Sequence, residues 1–325
     1  MTQHRRTPPT GEGAFKRVPS RDDVEAALST IPGRPDWQKR DDRKVDLLTM
    51  TPGGVKLSTH NWEKLNATKE RAEMRRLGKD DPMLLLEPKR PPRGEITEWS
   101  KPSQRRMGWI IGAVDYTPFV AQVVDGRAPA MTTLTLSSFW LELAPDGVEF
   151  KRLINALRKR YFSAWGREDL SGVWKLEFQR RGAPHFHLLH VPPAGVAGGR
   201  TGNGLGWPQW VSLVWNELVF ERHVEAPVPY SAEGWADEKA KHLRAGTGVD
   251  YADVLRYSDP KRISTYFSKH ALFSEKAYQN VVPEAWQRPG KGPGRFWGVW
   301  KLDVVLANQV LADNAHYVKS KLLRL

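Results

Sequence analysis

The 325-residue chain contains no cysteine, which excludes a disulfide framework, thiolate-bound zinc and thiol catalysis together. It has no run of the ~20 apolar residues needed to cross a bilayer. The opening residues, MTQHRRTPPTGEG, place no apolar stretch behind their positive charges and do not read as a secretory signal. No Gly-Lys-Ser/Thr phosphate loop occurs; the glycine-rich stretch from Gly198 to Gly206 lacks it and reads as a surface loop. Acidic residues are also in short supply: 37 Asp and Glu face 50 Lys and Arg, for a net charge of +13. That excess concentrates polyanions and speeds their encounter without fixing a fold. Nucleic acid is therefore the favoured partner. A membrane is not, because basic residues do not line one side of an apolar helix. The expectation is a soluble, cytoplasmic protein.

The texture of the chain changes near residue 106. Residues 1–106 hold 23 Lys and Arg against 16 Asp and Glu, a net +7, with prolines recurring throughout. Apolar periodicity is thin there, and two short helices are expected, Arg21 to Thr30 and Leu65 to Leu77. The region reads as a basic, Pro-rich, partly ordered extension, or equally as an accessory subdomain. From Met107 onward strand-like and helix-like segments alternate. Met131 to Ser138 alternates Thr with Leu, as a half-buried strand does. A helix follows the Pro145-Asp146-Gly147 turn, with Phe150, Ile154, Leu157, Tyr161 and Trp165 recurring every three or four positions. Val173 to Gln179 and His185 to Val191 form a β-hairpin. Further helices start at Pro208 and at Asp259-Pro260, Arg295 to Trp300 is a last strand, and Leu302 to Leu322 a C-terminal helix. The order implies an α+β fold, a central antiparallel sheet with helices packed on one face. Residues 107–301 are its core and 302–325 the terminal helix.

The hairpin carries the chemistry. Trp174, Leu176 and Phe178 share one face of its first strand, and Lys175, Glu177 and Gln179 the other. On the return strand Phe186 and Leu188 oppose His185 and His187. With both apolar sets in one core, Glu177, Gln179, His185 and His187 project from the same polar face. A loop of odd length places Glu177 directly opposite His185. Two imidazoles and a carboxylate can hold a divalent ion with open positions, which favours Mn²⁺ or Mg²⁺. His190 has the wrong parity and reads as a packing or surface residue. A second feature is the helix from Pro260 to Phe273, where Arg262, Tyr266 and Lys269 share a flank beside buried Ile263 and Phe267. A cation beside a phenol favours its phenolate as a nucleophile. Alone, each feature also has a bland reading, a chance His-x-His pair or an ordinary amphipathic helix.

Together and in this order they resemble the HUH endonucleases. His185-Phe186-His187 matches the two-histidine motif, Tyr266-Phe267-Ser268-Lys269 the Tyr-x-x-Lys motif, and Thr133-Leu134-Thr135-Leu136 the preceding Thr/Leu strand. The stretch Glu177 to Pro184 is similar to that of plasmid and phage rolling-circle replication initiators. The resemblance spans roughly Met131 to Trp300. It implies an HUH endonuclease fold, related to ferredoxin-like and RNA-recognition sheets. It implies a metal on His185, His187 and Glu177, attack by Tyr266 on the scissile phosphate, and assistance from Lys269. The product is a 5′-phosphotyrosine and a free 3′ hydroxyl that primes synthesis. The partner is single-stranded DNA at a replication origin, with host helicase and polymerase supplying unwinding and synthesis. Arg181, Arg262, Lys291, Arg295 and Trp297 are the candidate DNA contacts, through phosphates and stacking. His270 and Arg262, four positions after and before Tyr266, leave a one-tyrosine pattern. The alternatives are a relaxase or single-strand transposase of the same superfamily, or a non-catalytic DNA- or RNA-binding protein.

Overall fold

In the computed structural model, the residues described are 44–52, 54–64, 66–68, 95–119, 127–166, 170–199, 203–251 and 274–311. A five-stranded antiparallel sheet forms the centre, in the order β6-β3-β5-β4-β7. Its strands are β3 (Ala130–Thr135), β4 (Gly172–Phe178), β5 (Pro184–His190), β6 (Thr247–Tyr251) and β7 (Trp297–Trp300). The hairpin strands β4 and β5 therefore lie in the interior of the sheet, where both faces can be covered.

The long helices are α1 (Lys101–Gly112), α2 (Gly147–Ala164), α3 (Trp207–Phe220) and α4 (Ala232–Ala245). Asp146 starts α2 by accepting hydrogen bonds from the Val148 and Glu149 amides, the capping role expected of an Asp at that position. Helix α2 buries Phe150, Leu153, Ile154, Leu157 and Tyr161. Phe150 packs against Phe186 of β5 and Trp215 of α3. Trp207 of α3 donates its indole N–H to Thr132 of β3 and packs on His190. Helices α2 and α3 thus cover the sheet face bearing Thr132, Phe186, Leu188 and His190, as an α+β architecture requires. Among the described residues no helix is long and apolar enough to cross a membrane.

Three boundaries differ from the sequence reading. Residues 44–61 form two strands, β1 (Lys44–Thr51) and β2 (Gly54–Asn61), in full antiparallel register. Asp46 and Leu48 on β1 are buried, so this part of the extension is ordered sheet. Helix α1 runs through residue 106, so the fold has no boundary there. Residues 302–311 are not helical: Ala307–Leu311 is strand β8, paired with β1 to give a three-stranded sheet in the order β2-β1-β8. A short strand inserted between helix-compatible residues is specified by its distant partner rather than by local propensity. The helix expected from Arg21 to Thr30 and most of that from Leu65 to Leu77 lie outside the described residues, although 62–64 and 66–68 are helical. Strands β1, β2 and β6, and helices α1 and α4, were not anticipated.

Candidate active site on the central hairpin

The hairpin register is the one that period-two arithmetic requires. Glu177 pairs with His185, Lys175 with His187, and Phe178 with Pro184, across the five-residue loop 179–183. That loop closes through Gly182, which donates its N–H to Gln179 O and has φ +80°, a left-handed value natural to glycine. Strand β3 flanks the other side of β5, with Thr133 opposite His187 and Thr135 opposite His185. The Thr/Leu strand and the two histidines are therefore immediate neighbours.

On this face the side chains form one hydrogen-bonded cluster. The Lys175 ammonium donates to Glu177 Oε1 at 2.7 Å. His187 Nε2 lies 3.2 Å from Glu177 Oε2, and since a carboxylate only accepts, that nitrogen carries the proton. Its Nδ1 stands 3.2 Å from the Thr133 hydroxyl. Gln179 accepts from Arg181 Nε through Oε1 at 2.9 Å, leaving its amide nitrogen 3.2 Å from His185 Nδ1. The two histidine rings meet edge to face, centroids 4.5 Å apart. Lys175 is 1% exposed and Glu177 3%, so the face expected to be polar is a nearly buried ionic cluster that opens toward half-buried His185 and His187.

Electrostatics follow from that burial. Burial raises the Glu177 pKa, but the His187 hydrogen bond and the Lys175 charge outweigh it and leave the carboxyl at about 2. Burial, reinforced by neighbouring His187, brings His185 down to about 4. It is neutral near pH 7, the form in which imidazole ligates metal. Glu177 Oε2 and His187 Nε2 are 3.2 Å apart, close to the ~3 Å edge of an octahedron with ~2.1 Å bonds. Donor types and this edge fit a hard divalent cation. His185 is held aside by Gln179, and among the described residues no three His, Asp or Glu side chains converge on one point as placed.

The remaining candidates fall in several places. Arg181 sits at the hairpin tip, its guanidinium donating to the Leu136 and Ser137 carbonyls at the end of β3. Lys291 pairs with the α2 cap, Nζ to Asp146 Oδ2 at 2.9 Å. Trp297 donates to Ser103 of α1 and is half-buried. Exposed Arg295 lies beside Lys151, away from the histidines on the opposite side of the sheet. Tyr266, Lys269 and Arg262 lie outside the described residues. His190 is completely buried on the helix-covered face, accepting at Nε2 from Thr132. Lys175 is the site residue that sequence reasoning missed; its position on the Glu177 face was the signal available.

These features define an α+β protein whose central antiparallel sheet carries a Glu-His-His-Lys cluster between inner strands. A sequence model of replication-associated proteins, the family named for its ORF2 members, matches residues 129–321, which include every strand of the central sheet. The chain belongs to this family of replication-associated proteins. Neither curated proteins nor solved structures give a match.

Proposed function

We propose that the protein is a sequence-specific nickase and strand transferase acting on single-stranded DNA to start rolling-circle replication. The observation that carries this reading is the juxtaposition of Glu177, His185 and His187 at the middle of the sheet, in a chain of a replication-associated family. Glu177 and His187, joined by His185 once Gln179 releases it, would hold Mn²⁺ or Mg²⁺. When bound, the ion withdraws charge from a phosphate oxygen and so makes phosphorus more electrophilic. Lys175 fixes one carboxylate oxygen of Glu177 and turns the other toward His187. Thr133 orients His187 from behind through Nδ1, as outer partners of histidine ligands commonly do.

Tyr266 is the nucleophile in this reading. Its phenolic oxygen bonds to phosphorus as the bond from phosphorus to the 3′ oxygen breaks; the phenol proton passes to solvent and the departing 3′ oxygen takes one up. The strand stays attached through its 5′ phosphate, and the bond energy is kept for rejoining. Lys269 steadies the phosphate or the phenolate. Tyr266→Phe removes one oxygen and keeps the ring. Incubation with a labelled origin strand and Mn²⁺, followed by denaturing electrophoresis, should show a covalent adduct with the native chain. The variant should lose nicking and adduct together by orders of magnitude. Adduct formation undiminished by Tyr266→Phe, or mapped by mass spectrometry to another tyrosine, overturns the assignment.

A further inference from the structure

On the face of β4 and β5 turned away from the histidines there is a cleft of about 350 Å³, lined by Phe150, Trp174, Phe186, Trp300, Lys151 and Arg295 among others. Trp174, Phe186 and Trp300 pack as a triad, with centroids 5.4 to 5.8 Å apart. The Arg158 guanidinium lies 4.4 Å over the Trp300 ring, and its Nε is buried without a hydrogen-bond partner. At the mouth, Lys151 of α2 rests on Gly294, whose φ is +65° and where any side chain would collide with the ammonium. Arg295 stands next to it. Burial and the Arg295 charge both lower the Lys151 pKa. No carboxylate lines the cleft, and neither cation has an ion pair among the described residues.

Like charges held together without a counter-ion, above an aromatic floor, suit a ligand with an anion at one end and a flat ring at the other. We infer that this cleft binds one nucleotide of single-stranded DNA, its phosphate on Lys151 and Arg295 and its base against the Trp300 and Trp174 rings. The volume lies at the small end of the usual ligand range of ~300–1,000 Å³, enough for one base. Stacking on aromatic rings with phosphate contacts at the rim is how single strands are held without sequence readout. The inference rests on the reading that this protein handles single strands. A strand serving both sites passes round the sheet edge at β7, the outermost strand on this side. The cleft then anchors DNA flanking the cut and leaves the cluster on the other face free for chemistry.

The test uses the full chain and a fluorescent 20-nucleotide strand of mixed sequence, with affinity read by anisotropy over a range of salt. Lys151→Gln with Arg295→Gln should weaken binding roughly tenfold or more, and should reduce the slope of log affinity against log salt by about 1.4, two contacts at ~0.7 each. Lys151→Arg with Arg295→Lys should restore the slope. The melting temperature of each variant reports whether it has folded. A strand carrying 5-iodouracil should photocrosslink to peptides containing Trp174 or Trp300. Unchanged affinity and slope in the folded double Gln variant overturns the inference, as do crosslinks confined to residues 177–187. Competition by free deoxyadenosine monophosphate at micromolar concentration would assign the cleft to a free nucleotide and also overturn it. Normal binding losses in a protein that never nicks would sink the proposed reaction and leave the cleft standing; nicking with an unchanged salt slope would do the reverse.

Discussion

Lys175→Met removes the buried ammonium and keeps an unbranched apolar stem of similar length. The wild-type ammonium sits 2.7 Å from Glu177 Oε1, with both side chains almost wholly inaccessible. The partners of Glu177 bring its carboxyl from 4.5 to about 2 in spite of burial, which corresponds to about 3.4 kcal/mol in favour of the charged form. Lys175 and His187 share that effect, so deleting Lys175 should cost about 2–3 kcal/mol, just below the ~3–5 seen when a buried pair loses one member. Urea unfolding at pH 7 would be measured for the wild type, Lys175→Met, Glu177→Gln and the double variant. Each single variant should lose stability, because each leaves a buried polar group uncompensated. The double variant should lose less than the two together, with a coupling of about 2 kcal/mol. A Lys175→Met protein within ~0.5 kcal/mol of wild type, or strictly additive losses, would show that the ion pair does not organise the site.

Other outcomes follow from the same geometry. Mn²⁺ should raise the melting temperature of the wild type, and His187→Ala should abolish that rise while remaining folded; an equal rise in the variant would remove His187 from the ion's ligands. Burial holds His190 at about 3 against 6.5 when free, so the unfolded chain takes up a proton below pH 6.5 that the folded chain refuses. Its stabilising contribution is complete above pH 6.5 and falls with pH, by about 2 kcal/mol at pH 5; His190→Gln should flatten the stability profile by that amount, and an unchanged profile would show His190 is not the group. Arg181→Ala should lower stability by about 1–3 kcal/mol, since two carbonyls of β3 lose their donor, with the salt slope of DNA binding unmoved. A slope lowered by ~0.7 would instead return Arg181 to the phosphate contacts.

The hairpin was legible in the sequence because its determinants are local. Alternation assigned faces, the five-residue loop set the register, and the pairing of Glu177 with His185 followed from the two. Lys175 was not legible as a site residue, because parity alone sends a lysine to the solvent side. Strand position decides otherwise: β4 lies between β5 and β7, and a lysine on an inner strand can be buried when a carboxylate two residues along meets it. His190 shows the complement. Parity put it on the apolar face, and there its Nε2 accepts from the hydroxyl of Thr132, which also receives the Trp207 indole N–H. Its Nδ1 proton is left without a partner, which agrees with a histidine held neutral.

What sequence could not supply was pairing across long separations. β8 meets β1 some 260 residues earlier, Leu47 opposite Val310 and Asp46 opposite Leu311, and nothing in the spacing of either segment announces the other. Charge and proline content placed a boundary at residue 106, yet these report on the surface of a chain and not on its topology. Asp46 illustrates the difference: it adds to the acidic count of a basic extension, but it is buried and accepts a 2.6 Å hydrogen bond from Thr59. The choice of truncation follows. Deleting residues 1–106 to ask whether the basic region touches DNA would remove β1 and β2, strip β8 of the strand it pairs with, and cut α1 in two. A loss of affinity in that protein would report unfolding as readily as lost phosphate contacts. Removing residues 1–43 leaves all the described strands in place, so a shallower salt slope in that protein, with an unchanged melting temperature, would assign the lost contacts to the deleted charges.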